Sequence, residues 1–349
     1  MKPESPILWR PTAPRVTLER RAALLAATRR FFSELGVLEV DTPLVVNAAV
    51  TDVHIHSARV QFASVPAGGS VPAGGSEPAG AACAQPSFYL HTSPEYAMKR
   101  LLAAGSGDIY QICHVARALE RGNQHNVEFT LIEWYRLGYS LDALMSEVAQ
   151  LVSSLMAGSA GGALPVERLS YRQAFLRNLQ LDPFAARLPE LADAAVRAVG
   201  YQPPGAPEQS SRDELLELLM GTHIGPRLGH DSLTFVHGYP ATQAALARLD
   251  PQDPRTALRF ELYCRGMELA NGFQELSSAV EQRLRFEQDN EARRRLGLPT
   301  VTLDERLLAA LEHGLPACAG VALGFDRLLM LATGAARIDE VMPFPIERA

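Results

Sequence analysis

The chain has 349 residues, of which 47% are hydrophobic and 21% are charged, and this composition predicts a globular protein with a large core. Its formal net charge of -6 gives no global reason to expect nucleic-acid binding. Four scattered cysteines without a CxxC pattern argue against a zinc site or a disulfide framework and fit a reducing compartment. The N-terminus lacks the apolar core of a signal peptide, and no run of about 18 uncharged apolar residues exists, so we expect a cytoplasmic protein without a membrane span.

The N-terminal quarter combines an arm, a helix and a low-complexity segment. Residues 1–14 contain four prolines and predict an irregular arm. An apolar stripe between Thr17 and Leu35 predicts a helix that ends at Gly36. Residues 63–84 form an imperfect Gly/Pro/Ala repeat that cannot bury a core, which predicts a flexible surface loop.

The next segments predict a helix followed by two strands, the first from Ile109 to Ala116 and the second over residues 127–136. The pattern predicts a helix from Glu95 to Ala104. Glu95 is then either a favourable acid in the first turn of this helix or a side chain that points into a pocket. Residues 127–136 alternate, which places Phe129, Leu131, Glu133 and Tyr135 on one face. Such a face suits a site that stacks a flat ring and binds a cation, whereas the alternative is a solvent-facing strand side.

Helical patterns with Pro and Gly breaks occupy about residues 141–230 and predict a helical insertion. Residues 260–276 then read as two strands joined by a turn at Arg265 and Gly266. This hairpin carries Glu261, Glu268 and Glu275 among apolar residues, and the turn is expected to bring the first two near one another. Buried carboxylates need a metal, a cation or hydrogen-bond donors, unless the hairpin has one solvated face.

The C-terminal segment GVALGFDRLLML predicts a strand followed directly by an apolar helix. Its glycines suggest a turn with close backbone approach. Arg327 at the start of this helix is either half of a surface Asp–Arg pair or a planar fork for a phosphate oxygen.

Five segments in this order resemble the catalytic domain of class II aminoacyl-tRNA synthetases of the lysine-specific kind. The resemblance covers most of residues 15–349 and implies one catalytic domain of the α+β class, with an antiparallel sheet flanked by helices. The similar segments are GVLEVDTP (36–43) to motif 1, Arg117 with HNVEFTLIEWY (125–135) to motif 2, GVALGFDRLLML (320–331) to motif 3, and TSPEYAMKR (92–100) with ELANGFQEL (268–276) to the lysine-pocket segments.

The resemblance also implies the site residues and the cofactors, ATP as co-substrate and Mg²⁺. Arg117 and Arg327 would be catalytic residues on the ATP phosphates, and Glu261 and Glu268 would bind Mg²⁺. The implied nucleotide site consists of Arg117, His125, Asn126, Phe129, Glu268, Leu269, Gly324 and Arg327. The implied amino-acid site consists of Ser93, Pro94, Glu95, Glu133, Tyr135, Asn271, Glu275 and Ala322.

Within this family the chain is similar to a branch whose members modify translation elongation factor P. The first of these motifs already lies at residues 36–43, which leaves no room before it for an N-terminal anticodon-binding barrel. No tRNA partner is therefore expected. The implied reaction activates lysine or β-lysine as an adenylate and transfers it to a lysine ε-amine of elongation factor P. Motif 1 further implies a homodimer.

Two departures from the family pattern concern positions 119 and 322. Leu119 stands where motif 2 usually has glutamate, and Glu120 beside it is a possible substitute. Ala322 stands where lysyl-tRNA synthetases usually have glycine, and its methyl group could reshape the pocket toward a lysine isomer such as (R)-β-lysine. Two alternatives stay open: a truncated synthetase with a tRNA or small-molecule acceptor, and a non-catalytic regulatory subunit.

Overall fold

The computed structural model describes residues 9–61, 87–157, 164–200 and 211–349. The repeat at 63–84 lies outside these residues, as does most of the predicted arm. The described residues form nine α-helices: α1 (Arg15–Glu34), α2 (Glu95–Ala103), α3 (Leu141–Met156), α4 (Tyr171–Leu179), α5 (Leu188–Val199), α6 (Arg212–Leu219), α7 (Ala279–Arg295), α8 (Glu305–Gly314) and α9 (Phe325–Thr333).

The strands number eleven in the same part of the chain. They are β1 (Leu38–Glu39), β2 (Val45–Val46), β3 (Arg59–Val60), β4 (Phe88–Leu90), β5 (Ile109–Ala116), β6 (Glu128–Leu137), β7 (Val166–Ser170), β8 (Leu233–Pro240), β9 (Thr256–Cys264), β10 (Met267–Gln274) and β11 (Cys318–Gly324).

A mostly antiparallel eight-stranded sheet organises the molecule. Its strand order is β1-β5-β6-β11-β10-β9-β8-β7, and only the outer pairs β1–β5 and β7–β8 are parallel. Strands β2, β4 and β3 form a separate small sheet. The prediction of an α+β fold with an antiparallel sheet flanked by helices is confirmed.

The two faces of the large sheet have different functions because side chains alternate along each strand. On one face Trp134 packs in a core with Phe32, Val148 and Leu328 from the helices α1, α3 and α9. On the other face Tyr135 packs with side chains of α2, α7 and α8. The strand residues predicted to bind substrate therefore lie on the second face, away from the main core.

The hairpin of β9 and β10 turns at Arg265 and Gly266, as the sequence predicts. Both residues have positive φ, 50° and 73°, which is the backbone conformation that a two-residue turn between twisted strands requires. The register pairs Glu261 with Asn271 and Glu268 with Tyr263, and it shifts between them. The two acids therefore lie in different rows of the sheet.

The region predicted as a helical insertion contains a strand that the sequence did not reveal. Helix α3 packs on the main core, whereas α4, α5 and α6 build a second core with β7 and β8. Strand β7 pairs in parallel with β8 and extends the large sheet by one strand.

No helix in the described ranges is long and apolar enough to cross a membrane.

Candidate active site

A cavity of about 1140 Å³ lies against the second face of the large sheet. Every residue that the sequence predicted for the site lines this cavity, with the exception of Glu261. Strands β6, β11 and β10 form its floor. Ala322 on β11 lies in register between Glu133 on β6 and Asn271 on β10, so these three side chains form one row.

The two ends of the cavity are named after the ligands that the family resemblance predicts for them: the amino-acid end around Glu133, and the nucleotide end around Arg117 and Arg327. Glu133 is the acid at the centre of the amino-acid end. Its side chain is 2% exposed, and each carboxylate oxygen accepts one hydrogen bond. The donors are the Tyr135 hydroxyl and the Ser93 hydroxyl, each at 2.7 Å. Burial, reinforced by the charge of Glu95, raises the pKa of Glu133 to about 7. A cation beside the Glu133 carboxylate would stabilise its charged form.

Glu275 lies just beyond β10 and closes the same end. Burial raises its pKa to about 8, against the opposing influence of the nearby Lys99 ammonium group. Lys99 lies on α2, is 1% exposed, and forms ion pairs with Glu275 Oε2 at 2.6 Å and Glu95 Oε1 at 2.7 Å. The acids of this end therefore share a cation that belongs to the protein.

Gly320 on β11 permits this close packing. A Cβ atom at this position would meet the ring of Tyr135 and would lie 2.5 Å from Glu275 Oε1. Any side chain here would displace one of two groups that line the amino-acid end.

At the nucleotide end, Arg117 lies beside a ring suited to stacking. Its guanidinium carbon is 5.1 Å from the centre of the Phe129 ring, and its Nε donates to the Thr92 carbonyl at 3.3 Å. Glu120 pairs with Arg117 at 3.2 Å, whereas Leu119 is 70% exposed. Glu120 therefore contacts Arg117 and is placed to substitute for the glutamate that motif 2 usually has at position 119.

Arg327 opens α9 and points into the same end. It donates to the carbonyl oxygens of Glu268 at 2.9 Å and Gln124 at 3.3 Å, and its Nη2 lies 2.6 Å from His125 Nε2. Burial and the charge of Arg327 lower the pKa of His125, so the ring is neutral at neutral pH. The loop before β6 therefore contacts the arginine that the sequence assigned to phosphate.

Asn126 has a different environment from its neighbour His125. It is buried, its amide nitrogen donates to the Glu128 carbonyl at 2.7 Å, and its amide oxygen accepts from the Ile346 backbone N–H at 3.1 Å. These contacts fasten the loop to the C-terminal segment of the chain.

Glu261 lies behind the cavity, and its carboxylate is already occupied. Arg259 Nη2 donates to one oxygen at 2.5 Å and the Tyr263 hydroxyl donates to the other at 2.6 Å. Arg259 also donates to the Asn271 side chain at 3.3 Å, which links Glu261 to the row on the cavity floor.

Glu268 is the acid of this pair that faces the cavity, with a side chain that is 40% exposed. Burial and the charge of Glu261 raise its pKa to about 6. Within the described ranges, no three His, Cys, Asp or Glu side chains converge on a point that could hold a metal ion. A cation here would take its remaining ligands from phosphate oxygens or water, which is how Mg²⁺ usually binds in nucleotide sites.

Arg21 connects α1 to the strand and the helix that carry the nucleotide end. It pairs with Asp326 Oδ1 at 2.5 Å and donates to the Thr130 hydroxyl at 2.6 Å. The other oxygen of Asp326 accepts the Thr130 backbone N–H at 2.6 Å. Asp326 is 1% exposed and directly precedes Arg327, so this network fixes the start of α9.

Sequence reasoning missed Lys99, Arg259 and the Arg21–Asp326 pair. Lys99 follows Glu95 by four residues, and this spacing places both side chains on one face of a helix. Arg259 precedes Glu261 by two residues, and this spacing places both side chains on one face of a strand. The Arg21–Asp326 pair joins segments far apart in sequence, and no local pattern predicts it.

Comparison with known proteins gives the family. The sequence profile described as tRNA synthetases class II (D, K and N) matches residues 7–348. The chain belongs to the class II tRNA synthetase family. Its predicted membership is therefore confirmed, and so is the prediction of an enzyme that uses ATP to ligate an amino acid.

Relatives of this class II enzyme carry a more specific name. Proteins of Edwardsiella ictaluri, Klebsiella pneumoniae subsp. pneumoniae and Hamiltonella defensa are 48%, 47% and 46% identical to it. Each match spans 341 residues and covers 98% of both chains. All three are named elongation factor P–(R)-β-lysine ligase.

Proposed function

We propose that this class II enzyme activates (R)-β-lysine with ATP and transfers it to a lysine ε-amine of translation elongation factor P. The observation that carries the proposal is the amino-acid end of the cavity, where Glu95, Glu133 and Glu275 converge. Three carboxylates in one enclosed space favour a substrate that carries two ammonium groups. The names of the relatives support both the amino acid and the acceptor.

The nucleotide end supports ATP as the activating substrate. Phe129 offers a ring for adenine to stack on, and Arg117 and Arg327 offer planar forks for phosphate oxygens. In this proposal His125 leaves Arg327 when the terminal phosphate arrives, because the neutral ring holds the guanidinium less strongly than an anion does. Leu269 and Gly324 contribute backbone near the nucleotide.

Mg²⁺ fits beside Glu268 in this proposal. The Glu268 carboxylate faces the cavity and pairs only loosely with Arg327, at 3.7 Å, so its oxygens are open to a divalent cation. Glu261 keeps a lone pair on each oxygen beyond those used by Arg259 and Tyr263, so it can orient the site or bind the ion. When bound, Mg²⁺ would neutralise phosphate charge.

The proposed reaction has two steps. A carboxylate oxygen of the amino acid attacks the α-phosphorus of ATP, the bond to the bridging oxygen breaks, and pyrophosphate leaves. A neutral lysine ε-amine of the acceptor then attacks the acyl carbon, the bond between that carbon and the phosphate oxygen breaks, an amide forms, and AMP and a proton are released. Arg117 and Arg327 stabilise the charge that develops on the phosphate oxygens in the first step.

Ala322 supports the choice of β-lysine. Its methyl group lies in the row between Glu133 and Asn271 and narrows the floor where the amino acid binds. Initial rates of adenylate formation with (R)-β-lysine and L-α-lysine test this assignment. A strong preference for α-lysine would contradict it.

The acceptor is tested by one incubation with two arms. The enzyme is mixed with ATP, Mg²⁺ and (R)-β-lysine, and either elongation factor P or tRNA is added. We expect a mass gain of one lysyl group on elongation factor P and none on tRNA. Absence of any gain on the protein would overturn the proposal.

We also propose that the enzyme is a homodimer that associates through α1 and β1. Strand β1 lies at the edge of the large sheet; Leu38 in this strand is 56% exposed, and Leu35 at the end of α1 is 42% exposed. An exposed edge with apolar side chains is a surface that a second copy can cover. Light scattering should give twice the mass of the chain, and Leu38→Arg should give monomers.

A further inference from the structure

The chain contains only two lysines among its 33 basic residues, Lys2 and Lys99. All other basic positions, including the buried Arg136 and Arg293, carry arginine. Lys99 is nevertheless almost fully buried, at 1% exposure, directly behind Glu95 and Glu275, which line the end of the cavity assigned to the amino acid. A position that keeps lysine in such a chain calls for a physical reason.

The geometry around Lys99 supplies that reason. Its ammonium group lies 2.7 Å from Glu95 Oε1, one turn earlier on α2, and 2.6 Å from Glu275 Oε2, beyond the end of β10. A compact ammonium group fits between two converging carboxylates, whereas the planar guanidinium group of arginine needs more room and a fork-shaped partner. Lys99 therefore joins two walls of the cavity through one atom.

The charges of this end can be counted. Glu95, Glu133 and Glu275 contribute three negative charges when ionised, and Lys99 contributes one positive charge. The end therefore presents two uncompensated negative charges, which equals the charge of two substrate ammonium groups. Without Lys99 it would present three, and one of them would have no partner in the complex.

We propose that Lys99 is the positioning residue of the amino-acid end: its charge holds Glu95 and Glu275 apart and favours their ionised forms, so that the pocket matches an amino acid with two ammonium groups. The inference deepens the proposed function and rests on its choice of a diammonium substrate. Because Lys99 fills the gap between the two acids, substrate ammonium groups approach them from the cavity side. Lys99 itself touches neither ATP nor the reacting atoms.

Several titratable groups surround this ammonium group, and burial raises the pKa values of two of the acids, Glu133 and Glu275, toward neutral pH. Burial alone would lower the pKa of Lys99, but Glu275 and Glu95 outweigh burial and raise it, so Lys99 stays charged. Burial keeps Tyr135 and Cys318 protonated by raising their pKa values. The groups that face Lys99 are Glu95 on α2, Glu133 and Tyr135 on β6, Glu275 after β10, and Cys318 on β11.

The test is the variant Lys99→Met, which keeps the length and flexibility of the side chain and removes the charge. Amino-acid-dependent exchange of pyrophosphate into ATP gives the KM for (R)-β-lysine and the KM for ATP between pH 6 and 9. We expect the KM for the amino acid to rise roughly tenfold or more at pH 7, because a buried charge pair has lost one partner. The KM for ATP should change by less than about twofold.

The pH profile distinguishes positioning from simple packing. Lys99 lowers the pKa of Glu275. Without Lys99, Glu275 should ionise only at higher pH, so the fall of the amino-acid KM with rising pH should shift to higher pH. Loss of packing alone would raise KM equally at every pH. Arg197→Met removes one positive charge from an exposed position on α5, outside the cavity lining, and serves as the control.

The double variant Lys99→Met/Glu275→Gln keeps the inference testable if Lys99→Met does not fold. It removes one charge of each sign and restores the count of two negative charges, so it should melt at a higher temperature than Lys99→Met. The inference would be overturned if the two variants had equal melting temperatures. It would also be overturned if the pH profile of the amino-acid KM for Lys99→Met superimposed on that of the unchanged enzyme. If the unchanged enzyme does not use (R)-β-lysine, the proposed function fails, and the same comparison is made with L-α-lysine.

Discussion

The two ends of the cavity are built differently. At the amino-acid end, Glu133 and Glu275 are buried, and protein groups that are themselves buried or packed against the floor contact their carboxylates. At the nucleotide end, Glu268 and Arg327 are partly exposed, and Arg327 contacts a histidine and two backbone carbonyls. The carboxylates of the first end are therefore held by contacts within the protein, whereas the charged groups of the second end are more open to solvent.

This difference follows from what each end must discriminate. A small amino acid offers few atoms, so selectivity requires fixed charges at fixed positions. ATP offers three phosphates and a ring, and a few arginines with a stacking surface are sufficient to bind it. The contrast leads to expectations that can be tested separately at each end.

Reversing one charge at each end should produce the largest effects, and the effects should be reciprocal. Glu275→Lys places a second ammonium group beside Lys99 and should reduce amino-acid use by about 10²–10³-fold, since disrupting a buried ion pair costs about 3–5 kcal/mol. Glu268→Lys should instead impair ATP binding. Equilibrium binding of ATP and amino-acid-dependent pyrophosphate exchange measure the two outcomes, with thermal melting as the control for folding. If Glu275→Lys lost ATP binding as severely as Glu268→Lys, the division into two ends would be wrong.

Adding one methyl group at Gly320 should damage only the amino-acid end. The new Cβ would meet the ring of Tyr135 and the carboxylate of Glu275, and overpacking of this kind costs about 1–3 kcal/mol. We expect Gly320→Ala to raise the KM for the amino acid by roughly 10–100-fold while the KM for ATP stays unchanged. Gly221→Ala is the matched control, because a Cβ there meets nothing within 4 Å. An equal effect of both variants would contradict the prediction.

Near neutral pH, amino-acid binding should depend on pH, whereas ATP binding should change little. Burial raises the pKa of Glu133 to about 7 and that of Glu275 to about 8, so both acids take up protons as the pH falls from 8 to 6. A protonated carboxyl group binds an ammonium group poorly, and the KM for the amino acid should therefore rise by about tenfold over this range. The KM for ATP, measured in the same assays, should change little above pH 7 because the pKa of Glu268 is about 6. A flat amino-acid profile would contradict the assignment of these acids.

Much of this contrast could be predicted from the sequence. Alternation along β6 correctly grouped Phe129, Leu131, Glu133 and Tyr135, because residues two apart must share a face of a strand. The turn at Arg265 and Gly266 was also predictable, since turn chemistry is local. The assignment of ATP and Mg²⁺ roles to single residues stays a prediction.

Other features depend on contacts that sequence periodicity does not encode. Strand β7 was missed because its pairing with β8 crosses more than 60 residues, and a short edge strand has little pattern of its own. The protein donors on Glu261 come from Arg259 and Tyr263 on the same face of β9, yet only the packed structure shows that they fill both oxygens. The partners of buried charges are therefore what the structure adds to the sequence.

The smallest effect on activity is expected for Arg21, which supports the nucleotide end from outside the cavity. Arg21→Met leaves the buried carboxylate of Asp326 with only the Thr130 backbone N–H as its partner, which should lower the free energy of unfolding by about 3 kcal/mol. Arg15→Met is the matched control on the same helix, because its pair with Glu19 is largely exposed and should contribute at most about 1 kcal/mol. Urea unfolding measures both values.

Activity should change less than stability in Arg21→Met, because Arg327 keeps its own contacts with Glu268 and Gln124. We expect the KM for ATP to rise by less than about tenfold and the KM for the amino acid to stay constant, since α9 borders only the nucleotide end. Equal increases in both constants would show that Arg21 supports the whole cavity. That result would remove the structural independence of the two ends, even if each binds the substrate proposed for it.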